Sequence, residues 1–202
     1  MLALCNDGSP MAGCLLCDKA LTHATPEHIL LDCLGGRLKT RRLICAACNK
    51  RLGGSIDAAL ARSVEPFRAA HGLVSGSRKR VPGGVPDPRL PNLDTPDCRR
   101  SMAKMLTLLW AEVFGGEGLD AAKGYLLDGQ GDICLGRVPP LETLPGFGPL
   151  SHRLEVAEGI GDISLFGGDC WRFRLTETRR PGRVWLACDP SQPSEWLAGR
   201  GI

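Results

Sequence analysis

The sequence predicts an α+β protein, and three observations carry that prediction. Two Cys-x-x-Cys pairs bracket a compact N-terminal stretch, apolar residues recur at helical spacing over 97–114, and short β-branched or aromatic runs separated by turns fill the C-terminal end. With 202 residues the chain has room for one full-sized domain of about 100 to 150 residues plus a small module. The expected division is a module over 11–60, a connecting segment with a Pro/Gly-rich basic linker over 61–95, and an accessory α+β unit over 96–202, its helices preceding its antiparallel strands.

The elements follow in order. The first ten residues lack periodicity and read as a frayed terminus. The module then runs through Cys14 and Cys17, the apolar run Ile29-Leu30-Leu31, a Gly35-Gly36 turn, a basic stretch, and Cys45 and Cys48. A helix is expected to start near Cys45, with Leu52, Ile56, Ala59 and Leu60 on one face and Gly53-Gly54 placed to break or bend it. Residues 75–95 are rich in Pro, Gly and charge, include Arg78-Lys79-Arg80, and read as a linker or arm. Beyond them Met102, Met105, Leu106, Leu109, Trp110 and Val113 recur every three or four residues, the period of an amphipathic helix. A second short helix is expected over Asp120–Leu127. The runs RLEVAEG, DISLFG, CWRFRLTE and RVWLACD are then the strands.

Composition bounds the function. Hydrophobic residues at 43% and charged residues at 23% predict a packed core and exclude wholesale disorder. A net charge of +3 neither requires nor excludes a nucleic-acid partner, since only a local basic face is needed. The N-terminus shows no secretion signal, and the longest apolar stretch is interrupted by Lys104 and Glu112, short of the roughly 20 residues of a bilayer span. The expectation is a reduced, cytoplasmic chain with no membrane partner, in which paired cysteines are metal ligands rather than disulfides.

Cys14, Cys17, Cys45 and Cys48 then offer four thiolates for a tetrahedral structural Zn²⁺, the alternative being accidental pairs in a chain of ten cysteines. A module this small buries little apolar surface, so a zinc that supplies folding free energy makes physical sense. Cys98, Cys134, Cys170 and Cys188 are scattered and read as buried small hydrophobes. Trp110, Trp171, Trp185 and Trp196 sit in apolar-patterned elements and read as core or interface anchors. His23, His71 and His152 are isolated and receive no catalytic role.

Between the cysteine pairs the chain reads TPEHILLDCLGGRLKTRRLICAACNKRLGG. The order Cys-x-x-Cys, Glu-His before apolar residues, Gly-Gly, then Cys-x-x-Cys-Asn resembles the HNH endonucleases over about Cys14 to Gly54. The resemblance implies a ββα-metal finger on a treble-clef zinc scaffold. It also implies His28 as general base, and Glu27 and Asn49 as ligands of a catalytic Mg²⁺ or Mn²⁺. The middle Asn of the motif has no match in RLKTRRLIC, where Thr40 is the nearest small polar residue.

These residue types suit phosphodiester hydrolysis. Imidazole, with an ordinary pKa near 6.5, accepts a proton from water at neutral pH, while a carboxylate and an amide oxygen are hard ligands suited to Mg²⁺ or Mn²⁺. Arg37, Lys39, Arg41, Arg42, Lys50 and Arg51 lie in a stretch without any acidic residue from Gly35 to Gly54. Such a face neutralises phosphates without reading sequence, the bland alternative being a solvated basic loop. Two functions follow: a metal-dependent endonuclease acting on double-stranded DNA, or a zinc module that binds nucleic acid or protein without cutting. The C-terminal unit is left to select the target, form a homodimer or bind a partner.

Overall fold

The protein, described here from a computed structural model, is defined over residues 13–21, 24–78, 85–142, 144–192 and 194–201. Met1 to Ala12, His23, Lys79 and Arg80 lie outside the described residues, as does the Trp196 side chain.

The chain is α+β, as its pattern predicts. Two short antiparallel strands, β1 (Glu27–His28) and β2 (Lys39–Thr40), precede α1 (Ala46–Leu52) and α2 (Ala58–Ala70). Between the strands Gly35 takes a left-handed φ of 85°, which favours glycine. A Cβ at Gly36 would stand 1.8 Å from the Leu30 carbonyl oxygen, so the Gly-Gly pair is required by both conformation and space.

At Gly53-Gly54 the helix does not break. It continues through a π-helical segment, Gly53–Asp57, into α2. A π turn carries one extra residue and is frequent at functional sites. The module boundary expected at residue 60 therefore falls inside α2. The first part of the expected linker is also fastened down: Leu73 is buried, Gly76 N–H donates to the Asp32 carbonyl at 2.9 Å, and Arg37 Nε donates to the Gly76 carbonyl at 3.2 Å.

α3 (Pro96–Phe114) opens on Thr95, whose hydroxyl accepts the Cys98 N–H at 3.3 Å, with Pro96 at the first helical position. Its expected apolar face widens to the whole circumference: Ser101 through Ala111 are all buried. A helix buried all round is a core element rather than an amphipathic surface one. α4 (Asp120–Asp128) follows and ends on Gly129 in the left-handed region.

Six antiparallel strands complete the chain: β3 (Cys134–Val138), β4 (His152–Ala157), β5 (Ile160–Ser164), β6 (Cys170–Arg174), β7 (Arg183–Asp189) and β8 (Ser194–Gly201). They form one sheet in the order β3-β6-β5-β4-β7-β8. α3 packs on β4 and β5. Buried apolar residues from Leu15 of the module to Leu186 of β7 make one continuous core, so the module and the accessory unit share their interior. Cys98, Cys170 and Cys188 are fully buried, Trp110 and Trp171 are core residues, and Trp185 is half-buried beneath the Arg153 guanidinium. Among the described residues no helix is long and apolar enough to cross a membrane.

Candidate active site

The four paired cysteines converge. Their sulfur atoms lie within 4.8 Å of one another, and Cys17 Sγ stands 3.7 Å from Cys45 Sγ. Four sulfurs at about 2.3 Å from a tetrahedral zinc are separated by about 3.8 Å, so the cluster fits a structural Zn²⁺.

Local structure aims each ligand. The first pair sits on a turn closed by Asp18 N–H donating to the Cys14 carbonyl at 2.9 Å, with Asp18 itself at φ 57°. The second pair opens α1, where Cys45 is the N-cap and its N–H donates to Cys14 Sγ at 3.3 Å. The Cys48 backbone N–H at this helix start draws the Cys45 thiol down to about 7, toward the thiolate that zinc requires. Burial pushes the Cys48 thiol the other way.

β1 presents its two motif residues to opposite sides, as strand alternation dictates. His28 keeps 22% of its side chain exposed and pairs across the strands with Lys39, while Glu27 turns inward at 6% exposure opposite Thr40. His28 Nε2 stands 3.8 Å from Asp32 Oδ1. Asp32 is itself fixed by Ser77, which donates its N–H at 2.8 Å and its hydroxyl at 3.0 Å. Burial holds the His28 imidazolium below its ordinary pKa, aided by the Lys39 and Lys104 charges and opposed by Asp32. The ring is therefore neutral near pH 7, the state in which a general base works.

Glu27 has a different neighbourhood. Lys104 of α3, 1% exposed, places its ammonium 2.5 Å from Glu27 Oε1 and also against Asp57 Oδ2. Asp57, the last residue of the π-helical segment, accepts the Ser101 hydroxyl at 2.8 Å as well. Burial raises the Glu27 carboxyl pKa, Lys104 and a hydrogen bond from Asn49 oppose the rise, and the Asp57 charge adds to it. Asn49 further donates its amide to Thr25 Oγ1 at 2.9 Å. The resemblance assigns a divalent ion to Glu27 and Asn49, but a carboxylate already paired with a buried ammonium does not fit one as arranged.

The basic residues divide into two groups. Lys39 is exposed on β2, Arg41 just after it, and Lys50 in the last turn of α1. Arg42 is tied to the Glu112 carboxylate of α3 at 2.6 Å, Arg51 to Asp128 of α4 at 3.0 Å, and Arg37 to the Gly76 carbonyl. The sequence reading missed Lys104, Asp57, Ser101, Asp32 and Ser77. Lys104 alone left a signal, as a cation inside an otherwise apolar helix.

The zinc-fitting four-cysteine cluster and the short strand that carries His28 belong to one N-terminal module. Residues 14–65 match the HNH endonuclease family, and the remainder of the chain lies outside that match. No curated protein and no solved structure matches the chain.

Proposed function

We propose that the protein is an HNH-type endonuclease that hydrolyses phosphodiester bonds in double-stranded DNA. The observation that carries this reading is His28: neutral, partly exposed, on β1 of the segment that matches the family, with Lys39 opposite it. In this reading His28 takes the proton of the attacking water. The Asp32 carboxylate, 3.8 Å from Nε2, steadies the imidazolium that forms. Lys39, Arg41 and Lys50 hold the DNA backbone. Four thiolates reserved for zinc suit a reducing, cytoplasmic setting.

Activation by Mg²⁺ or Mn²⁺ belongs to the proposal as the family resemblance implies it. No step is assigned to the ion, because Lys104 holds Glu27. The same ion pair, together with the missing middle Asn, favours a second reading: a zinc-dependent module that binds nucleic acid or protein and does not cut. Plasmid nicking in Mg²⁺, Mn²⁺ or EDTA separates the two. The nuclease reading expects nicking that requires the ion and disappears in His28→Ala. A wild type that binds several DNA substrates and cuts none supports the binding module.

A further inference from the structure

Lys104, whose ammonium stands against Glu27, is carried by the part of the chain outside the family match. Three observations make this a built arrangement. Lys104 is 1% exposed, it lies on a helix buried on all sides, and both of its partners, Glu27 and Asp57, are buried. Ser101, one turn earlier on α3, completes the shell by donating to Asp57 at 2.8 Å. A buried ammonium shared by two carboxylates leaves one net negative charge in place of two, and its own charge repels any divalent ion brought to the same oxygens.

We propose that Lys104 is a positioning residue that stands in for the divalent ion at Glu27, holding β1, and with it His28, against α3. Glu27 is then a structural anchor and not an ion ligand in the folded protein. This rests on the nuclease reading only for the place that Glu27 takes in the motif, and its test does not depend on cleavage.

The test is Mn²⁺ binding to zinc-loaded full-length protein, followed by electron paramagnetic resonance of free Mn²⁺. Glu27→Gln keeps the shape of the side chain and removes the charge. The expected result is an Mn²⁺ affinity within twofold of wild type. Weakening by tenfold or more in Glu27→Gln makes Glu27 an ion ligand and overturns the proposal. Lys104→Met supplies the reverse arm: with the ammonium gone, Glu27 and Asp57 should gain an Mn²⁺ site at least tenfold tighter than any in wild type, abolished again in Lys104→Met with Glu27→Gln. An unchanged Mn²⁺ affinity in folded Lys104→Met would show that Lys104 excludes nothing. Should Lys104→Met not fold, the comparison of wild type with Glu27→Gln decides alone.

Discussion

Replacing His28 by Ala separates chemistry from structure, because the two losses differ in size. The ring keeps 22% of its side chain exposed, and its charged neighbour Asp32 stands at 3.8 Å, beyond a hydrogen bond. Removing an interaction of that kind changes stability by about 1 kcal/mol or less. For a chain of this size that is a Tm change of about 4 °C at most. A general base contributes about 10² to 10⁴-fold in rate, which at about 1.4 kcal/mol per decade is about 3 to 6 kcal/mol of transition-state stabilisation. The expected outcome is a single-turnover nicking rate at least 10²-fold lower, with zinc content unchanged and Tm within that narrow band. Nicking at the wild-type rate in His28→Ala would refute the assignment of the base. A collapse of Tm or zinc content alongside the rate would show that His28 acts through the fold.

Further measurements address the surrounding groups. Since His28 is held below 6.5, the acid limb of the pH–rate profile should fall below that value; Lys39→Gln should move the limb up and Asp32→Asn should move it down, and movement in the opposite senses would contradict the electrostatics. Cys45→Ser with Cys48→Ser should abolish zinc in elemental analysis and unfold the module, and retained zinc would remove these residues as ligands. In a salt titration of DNA affinity, each phosphate left unneutralised by Lys39→Ala, Arg41→Ala or Lys50→Ala should lower the magnitude of the log–log slope by about 0.9. Arg42→Ala, already committed to Glu112, should leave that slope unchanged and lower Tm instead. His152, fully buried and accepting the Phe166 N–H at Nδ1, is held down to about 3 by burial, so between that value and 6.5 the unfolded chain binds the extra proton. Its contribution is complete above 6.5 and declines as pH falls, by about 2 kcal/mol at pH 5, and His152→Gln should flatten that part of the stability profile.

The four-cysteine cluster and the strand that carries His28 were legible in the sequence because their signals are local. Two residues between cysteines fix a turn or a helix start, and alternation along a short strand puts Glu27 and His28 on opposite sides. Gly35-Gly36 was legible as a turn, though its reason, the Leu30 carbonyl beneath Gly36, is tertiary. Asp57, Ser101 and the Asp32–Ser77 hydrogen bonds were not legible, since Asp57 and Ser101 meet only when α3 docks and Ser77 reaches Asp32 only when the supposed linker folds back.

The two charges that interrupt the apolar pattern of α3 show where sequence and tertiary structure meet. Lys104 and Glu112 looked like interruptions of a hydrophobic stretch, yet a charge on a helix buried all round has to find a partner or lose its ionisation. Each finds one on the N-terminal module, Lys104 at Glu27 and Asp57, Glu112 at Arg42. About two turns apart, or about 12 Å along the axis, they grip the module at two points, one beneath β1 and the other beside β2. Residue 60, the expected boundary, lies inside α2, and the strand that carries His28 is held from a helix beyond residues 61–95. Cleavage by residues 14–65 alone would therefore be expected to fail even with zinc in place.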